Sequence, residues 1–299
     1  MILITGADGQ LGRELQELLK EKNIPYKASD VGELDITDES SVNDFFEKNK
    51  PSLVYNCAAY TAVDKAEDEG KLLNEKINIE GTQNIARACA RVGAKLVQIS
   101  TDYVFGGHLE LGKEWQVDDE KTPVSEYGRA KDLAEKAVIT SGADYYIIRT
   151  AWLYGAYGPN FVFTMQKLAQ SHKELTVVND QHGRPTWSRT LAEFMLYLVE
   201  VGAPVATYQL TNDAKESEDV TWYDFAKEIF KGTETIVRAV SSEKFQTKAK
   251  RPFNSTMSLT AAKSTGFKIP LWQEALAQML EQGDLRENKD LDKGTIHKK

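Results

Sequence analysis

The chain has 299 residues, 41% of them hydrophobic and 27% charged, the composition of an ordinary globular protein with ample length to bury a core. Its formal net charge of −8 argues against a general nucleic-acid binder, so any phosphate must be gripped by local devices such as helix N-termini and a few placed Arg or Lys. No apolar run approaches the ~18 residues of a membrane span, and Met1 leads straight into Ile2-Leu3-Ile4 without a secretory leader, so a soluble, cytoplasmic protein with no membrane partner is expected.

Ile2–Thr5 reads as a strand, and residues 10–22 as a helix with Leu11, Leu15, Leu18 and Leu19 on one face. Tyr26–Ser29 is a second strand. Glu39–Asn49 is a helix opened by the capping signal Thr37-Asp38. A strand over 52–58, a long helix over 72–92, a strand over 95–100, a helix over 125–141 and a strand over 145–149 follow. This alternation predicts an α/β fold, a parallel sheet with helices on both faces. The near-continuous apolar runs LVQIS and YYIIR fit strands covered on both sides.

After Arg149 the pattern loosens. Residues 160–170 look helical and 175–178 extended, before the turn-rich run NDQHGRPTWS. Residues 190–201 look helical, 207–210 extended and 222–230 helical. The stretch from there through Asn254 reads as irregular, with helices near Leu259 and over 271–280. The cysteines, Cys57 and Cys89, read as buried free thiols in apolar surroundings. The histidines at 108, 172, 182 and 297 have no metal-ligand spacing, so no protein-built zinc site is expected.

The first strand runs into Gly6-Ala7-Asp8-Gly9-Gln10-Leu11-Gly12 and then a helix. Glycines there allow a tight turn and close approach of backbone to a pyrophosphate, and the new helix points free N–H groups and its positive dipole end at the phosphates. A glycine motif alone is weak, and an ordinary strand-to-helix turn is the plain alternative. Here the loop stands in the required strand–loop–helix context. An acidic residue is expected about 20 residues on, to bond a ribose hydroxyl. Asp30 and Asp35 are the candidates. Asp30 would repel a 2′-phosphate, which favours NADH over NADPH.

Tyr127 and Lys131 stand at i and i+4, which puts them on one helix face. A free tyrosine has a pKa of about 10, and a nearby ammonium is expected to lower it. Such a phenol can give a proton to a carbonyl oxygen as hydride arrives. The spacing has little specificity, since Tyr223 and Lys227 repeat it. Position separates them: Tyr127 opens the helix between the fourth and fifth strands, over the strand ends, whereas Tyr223 comes after the alternating pattern has ended. The fourth strand ends in Ser100-Thr101-Asp102-Tyr103-Val104-Phe105, where the Thr101 hydroxyl is placed to hydrogen-bond a substrate carbonyl. The plain alternatives are a strand-end cap for Thr101 and a turn residue for Asp102.

The G-x-x-G-x-x-G spacing, this Thr–Tyr–Lys set and several further blocks resemble the extended short-chain dehydrogenase/reductase family. The blocks are residues 56–67 (NCAAYTAVDKAE), 100–105, 149–155 (RTAWLYG), 179–186 (NDQHGRPT) and 251–255 (RPFNS), and the match spans about residues 1–283. The resemblance implies a Rossmann-type doubly wound parallel sheet with a smaller C-terminal substrate-binding lobe. It implies NADH- or NADPH-dependent reduction of the C4 keto group of a nucleotide sugar, dTDP-4-dehydro-L-rhamnose, in the last step of dTDP-L-rhamnose synthesis. Tyr127 would donate the proton, Lys131 would hold the nicotinamide ribose, and Thr101 would orient the keto group. Gly6, Gly9, Gln10, Leu11, Gly12, Asp30, Asp35, Ile36, Ala58, Ala59, Tyr60 and Thr61 would line the cofactor. Val63, Asp102, Tyr103 and Trp152 would contact the substrate, and Arg184 and Arg251 could pair with its pyrophosphate.

The expected organisation is a dinucleotide-binding unit over 1–151 with later sheet additions from 174–213. A substrate-binding lobe would come from 152–173 and 214–283, with a charged, flexible tail over 284–299. His182 and Arg184 depart from the aromatic and small residues expected there. Some relatives form a homodimer around magnesium and others do not. Competing readings on this scaffold are a nucleotide-sugar epimerase or dehydratase, and a non-catalytic regulatory subunit. One carboxylate beside Thr101, where a dehydratase usually needs a pair, disfavours the first. An intact Thr–Tyr–Lys set disfavours the second.

Overall fold

Short apolar runs alternating with amphipathic ones build a sheet in the first half of the chain, in a computed structural model that describes residues 1–282. The elements are β1 (Ile2–Thr5), α1 (Gln10–Glu21), β2 (Tyr26–Ser29), α2 (Glu39–Asn49), β3 (Leu53–Asn56), α3 (Lys71–Asn74), α4 (Thr82–Val92), β4 (Lys95–Thr101), α5 (Glu126–Ile139) and β5 (Tyr145–Thr150). There follow β6 (Leu153–Tyr154), α6 (Phe161–Ala169), β7 (Glu174–Val178), β8 (Thr186–Trp187), α7 (Ser188–Glu200), β9 (Ala206–Gln209), α8 (Trp222–Ile229), β10 (Ile236–Val240) and α9 (Thr260–Ser264). A final helix is described over 272–282. The tail expected over 284–299 lies outside the described residues.

The main sheet has six strands in the order β2-β1-β3-β4-β5-β9. Every pairing in it is parallel. β2 lies on one side of β1 and β3 on the other, so the strand order switches direction there. A crevice opens at the strand ends beside such a switch, which is where α/β sheets bind ligands.

Both faces are covered. On one face Leu11, Leu15, Leu18 and Leu19 of α1 pack with Leu191, Phe194, Met195 and Leu198 of α7. On the other, Val42 and Phe46 of α2 pack with Ile85 and Cys89 of α4 and Val138 of α5. A third core joins Val162 of α6, Phe225 and Ile229 of α8, Trp187 of β8, and Trp272 and Leu276 of the last helix.

The second half departs from expectation in two places. β7 does not add to the main sheet; it pairs in parallel with β10 in a two-stranded sheet of its own, and only β9 joins the main one. β10 itself falls in the stretch read as irregular. Its residues Ile236, Arg238 and Ala239 are exposed or half-exposed, so no strong apolar pattern announces it.

The long helix expected over 72–92 is one run from α3 to α4, widened to π-helical geometry over Glu75–Gly81. Such bulges cluster at functional sites. Here Asn78 donates to Asn74 at 2.7 Å and to the Tyr60 carbonyl at 2.9 Å, while Asn74 donates to the Glu126 carbonyl at 3.1 Å. This buried pair ties the loop after β3 to the start of α5, fixing two walls of the crevice.

Candidate active site

The crevice is a cavity of about 530 Å³ at the ends of β1, β3, β4 and β5. Its lining includes Gly9, Gln10, Leu11, Ala58, Ala59, Thr61, Val63, Thr101, Asp102, Tyr103, Tyr127, Lys131 and Trp152. Thirteen residues nominated from the sequence thus converge on one space.

The glycine loop closes one end. An added Cβ at Gly12 would stand 2.3 Å from the Gly6 carbonyl oxygen, and one at Gly6 would stand 2.5 Å from the Ala58 backbone. Gly6 also has φ +62°, in the left-handed region. Gly6 and Gly12 therefore lie beneath the cavity and let the loop pack tightly. Gly9 precedes α1 without any side-chain cap, whereas α2, α5, α6 and α8 are capped by Asp38, Ser125, Asn160 and Thr221. α7 also starts uncapped, at Trp187, but α1 is the uncapped helix whose start lines the cavity. Its first-turn amides suit a phosphate, so the loop fits a dinucleotide.

Asp30 and Asp35 do not line the cavity. The Asp30 carboxylate accepts from the Asp8 N–H at 2.9 Å, at the edge of the glycine loop, and from the Val31 N–H at 2.8 Å. Asp35 accepts from the backbone and hydroxyl of Thr37. Ile36 is buried against Gly81. The Tyr60 backbone is held by Asn78.

At the other wall, the Ser125 hydroxyl accepts from the Gly128 N–H at 3.1 Å and starts α5 just before Tyr127. A Cβ at Gly128 would stand 2.2 Å from the Tyr103 carbonyl oxygen. Only glycine lets this helix press against the 102–104 turn and bring Tyr127 to Thr101. Gly128→Ala is expected to cost about 1–3 kcal/mol through overpacking and to lower turnover as Tyr127 is displaced. Urea denaturation and kcat on the same preparation check this.

Tyr127 is 9% exposed and lines the cavity together with Thr101. The Thr101 hydroxyl donates to Asp102 Oδ1 at 2.9 Å. Tyr103 packs edge-on against Tyr127, ring centroids 5.6 Å apart. Lys131 is buried, and its ammonium donates to the Ile99 carbonyl at 2.7 Å.

The electrostatics correct one expectation. Tyr127 is not tuned toward neutrality here: burial, with the nearby Asp102 charge, pushes its pKa above the ordinary value. Burial likewise lowers Lys131 to about 8 and raises Asp102 to about 6, the latter opposed by its bond from Thr101. Burial thus keeps the phenol protonated at neutral pH.

A second cavity, of about 460 Å³, shares Thr61, Val63, Asp102, Tyr103, Trp152 and Leu153 with the first. Trp152 has φ +48°, a conformation that costs a non-glycine residue about 1–3 kcal/mol and tends to mark functional sites. Its indole stacks on Trp222 at 3.9 Å between centroids. Arg251 also lines this cavity, donating to the Tyr103 phenol at 2.8 Å and pairing with Asp64 at 2.7 Å.

Arg184 is a second correction. It lines neither cavity; its guanidinium pairs with Glu114 at 2.5 Å and donates to the Met257 carbonyl at 3.3 Å. The competing pair is also placed: Lys227 stands over the Tyr223 ring at 5.4 Å on α8, and neither residue lines these cavities.

Sequence reasoning missed Phe161, Trp222 and Ser255 in the second cavity, and singled out His182, which also lines it, without assigning it a role. It also missed Gly158 and Pro159, which the chain carries back to the glycine loop, where Asn160 donates to Gln10 at 3.2 Å. Nothing local marks these residues, because their partners lie far away in sequence. Among the described residues no cluster of three His, Cys, Asp or Glu could hold a metal, and no helix is long and apolar enough to cross a membrane.

Comparison with known proteins agrees with this geometry. The family model described as the RmlD substrate binding domain matches residues 1–285. A dTDP-4-dehydrorhamnose reductase from Streptomyces griseus is 41% identical over 92% of this chain and 91% of its own. A solved dTDP-4-dehydrorhamnose reductase from Clostridium acetobutylicum is 44% identical with a TM-score of 0.89, covering 94% of this chain and 98% of that one. Another, from Bacillus anthracis in complex with NADP, is 37% identical with a TM-score of 0.87 and covers the same shares, 94% and 98%. The chain belongs to the dTDP-4-dehydrorhamnose reductase family, on a Rossmann-type short-chain dehydrogenase/reductase fold.

Proposed function

We propose that this chain reduces the C4 keto group of dTDP-4-dehydro-L-rhamnose to give dTDP-L-rhamnose. The observation that carries the reading is the convergence of Thr101, Tyr127 and Lys131 on the cavity that the glycine loop closes. Bound at that loop, a reduced nicotinamide would supply the hydride that adds to the carbonyl carbon.

The chain's own residues do the rest. Tyr127 gives its phenolic proton to the carbonyl oxygen as negative charge builds there. Its raised pKa suits a donor, because the proton stays in place until it is needed. The Lys131 ammonium, one helical turn away, stabilises the phenolate that remains, and solvent returns the proton. Thr101 already donates to Asp102, so its oxygen serves first as an acceptor that aims the Tyr127 hydroxyl. Trp152 offers an aromatic face to the sugar. Arg251 is the cation available to the pyrophosphate, and Arg184 drops out of that role.

The held carboxylate of Asp30 at the loop edge would repel a 2′-phosphate and favours NADH. The Bacillus anthracis structure holds NADP, so both coenzymes belong in the assay. A cytoplasmic site of action goes with the use of a reduced nicotinamide. Every residue in this reading comes from one chain.

Lys131 gives a pH dependence. Its pKa is lowered to about 8, so it carries its charge below that value and loses it above. The reduction rate is expected to fall as the pH rises through about 8, and a kcat–pH profile checks this. An alkaline limb unchanged in Lys131→Met would remove the lysine from the account. The substrate itself is tested by incubating the protein with dTDP-4-dehydro-L-rhamnose and each coenzyme, then identifying the product by NMR. dTDP-L-rhamnose is expected; an unreduced epimer in its place would refute the reading.

A further inference from the structure

Three buried polar side chains form one row across the sheet interior. The strand register aligns Thr5 with Asn56 and Asn56 with Gln98. All three are 1% exposed or less, in a parallel sheet where apolar residues are the rule. The Thr5 hydroxyl donates to Asn56 Oδ1 at 2.6 Å. Asn56 Nδ2 donates to Gln98 Oε1 at 2.7 Å. Gln98 Nε2 then donates to the Ile99 carbonyl at 2.9 Å. That carbonyl is also the acceptor for the Lys131 ammonium, at 2.7 Å.

The row lies on the sheet face that α5 covers. Leu3, Val54, Leu96 and Ile147 belong to the core on that face, and Thr5, Asn56 and Gln98 follow the first three at a spacing of two. Pairing of β3 with β4 ends at Asn56 and Gln98, so Ile99 is the first β4 residue beyond that ladder. An ammonium buried there needs its acceptor held in place, because buried polar groups cost free energy unless well hydrogen-bonded.

We infer that Gln98 is a positioning residue for Lys131, acting through the Ile99 carbonyl, and that Asn56 and Thr5 hold Gln98 in that task. The inference rests on Lys131 having the role proposed above. The chain of donors links the strand that feeds the glycine loop to the lysine on α5, so the two ends of the cavity share one rigid polar strut.

A double-mutant cycle on the single-turnover reduction rate tests it. Gln98→Met keeps the length and removes the hydrogen bonds. It is expected to slow the step about tenfold while KM for the nucleotide sugar stays within about twofold. On a Lys131→Met background the same change is expected to have almost no further effect. An equal loss on both backgrounds would overturn the inference, since Gln98 would then act independently of the lysine. Thr5→Val, two links further away, should give a smaller loss that also vanishes on the Lys131→Met background; it decides the matter if Gln98→Met fails to fold. Full rates in both Gln98→Met and Thr5→Val would equally overturn it. An undiminished rate in Lys131→Met alone is a separate result, and would bring down the proposed role of the lysine along with the strut.

Discussion

Tyr127→Phe is expected to lower the reduction rate by about 10²–10⁴-fold, the usual worth of a positioned acid. The substitution removes one hydroxyl from a buried ring and leaves the ring itself packed against Tyr103. Coenzyme affinity should therefore stay near normal, and a fluorescence titration with NADH or NADPH measures that separately from kcat. Tyr223→Phe is the control. Its ring serves α8 and sits under Lys227, away from the cavity, so turnover should hardly change. A Tyr127→Phe enzyme with most of its turnover would remove Tyr127 as the donor. A comparable loss in Tyr223→Phe would mean the other pair does the chemistry.

Glu135→Ala is expected to destabilise the fold by about 3–5 kcal/mol, read as a fall in urea midpoint. Glu135 is fully buried on α5, one turn beyond Lys131. Its carboxylate takes paired hydrogen bonds from Arg149 at 2.9 and 2.8 Å, one from Ser100 at 2.5 Å and one from Lys121 at 2.9 Å. Removing it leaves the Arg149 guanidinium buried without its partner, and that unpaired charge is the main cost. The cluster also joins α5 to β4 and β5 directly below the site, so the variant should lose activity as well.

Burial works against the Glu135 charge, yet Arg149 and its other partners hold the pKa below the ordinary carboxylate value. A depressed pKa stabilises the fold above the ordinary glutamate range. That contribution is lost as the pH falls through the depressed value. Replacing Glu135 and Arg149 together with apolar residues of similar volume should recover much of the loss.

Local patterns carried the first half of the chain. Ile2–Thr5, Tyr26–Ser29 and Glu39–Asn49 are read directly from apolar runs and a capping signal, and the structure keeps those bounds. The glycine loop and the 100–105 block place the cavity because their meaning depends on a strand end followed by a helix. The second half was less legible. β10 is mostly exposed, and the strand it pairs with, β7, lies nearly 60 residues earlier, so neither hydrophobic period nor turn chemistry marks its place.

The site errors have the same origin. Arg184 looked like a phosphate ligand because it sits in a polar run, but it pairs with Glu114 from a distant loop and, unlike Arg251, lines neither cavity. The Tyr–Lys spacing correctly placed both residues on one face, yet it carried no information on burial. Burial decides the sign of the Tyr127 shift. Thr101 was assigned to the substrate carbonyl without regard to Asp102, its neighbour, which accepts its hydrogen bond in the folded chain.

The central claim is a net reduction at a C4 keto group. Its most direct test follows the near-ultraviolet absorbance of NADH and NADPH with a limiting known amount of dTDP-4-dehydro-L-rhamnose. The account predicts that one of the coenzymes is consumed mole for mole with the sugar, and that the Tyr127→Phe enzyme leaves the absorbance unchanged on the same timescale. A sugar that is converted while neither coenzyme is consumed would contradict it, since the hydride would then have been returned, as in an epimerase.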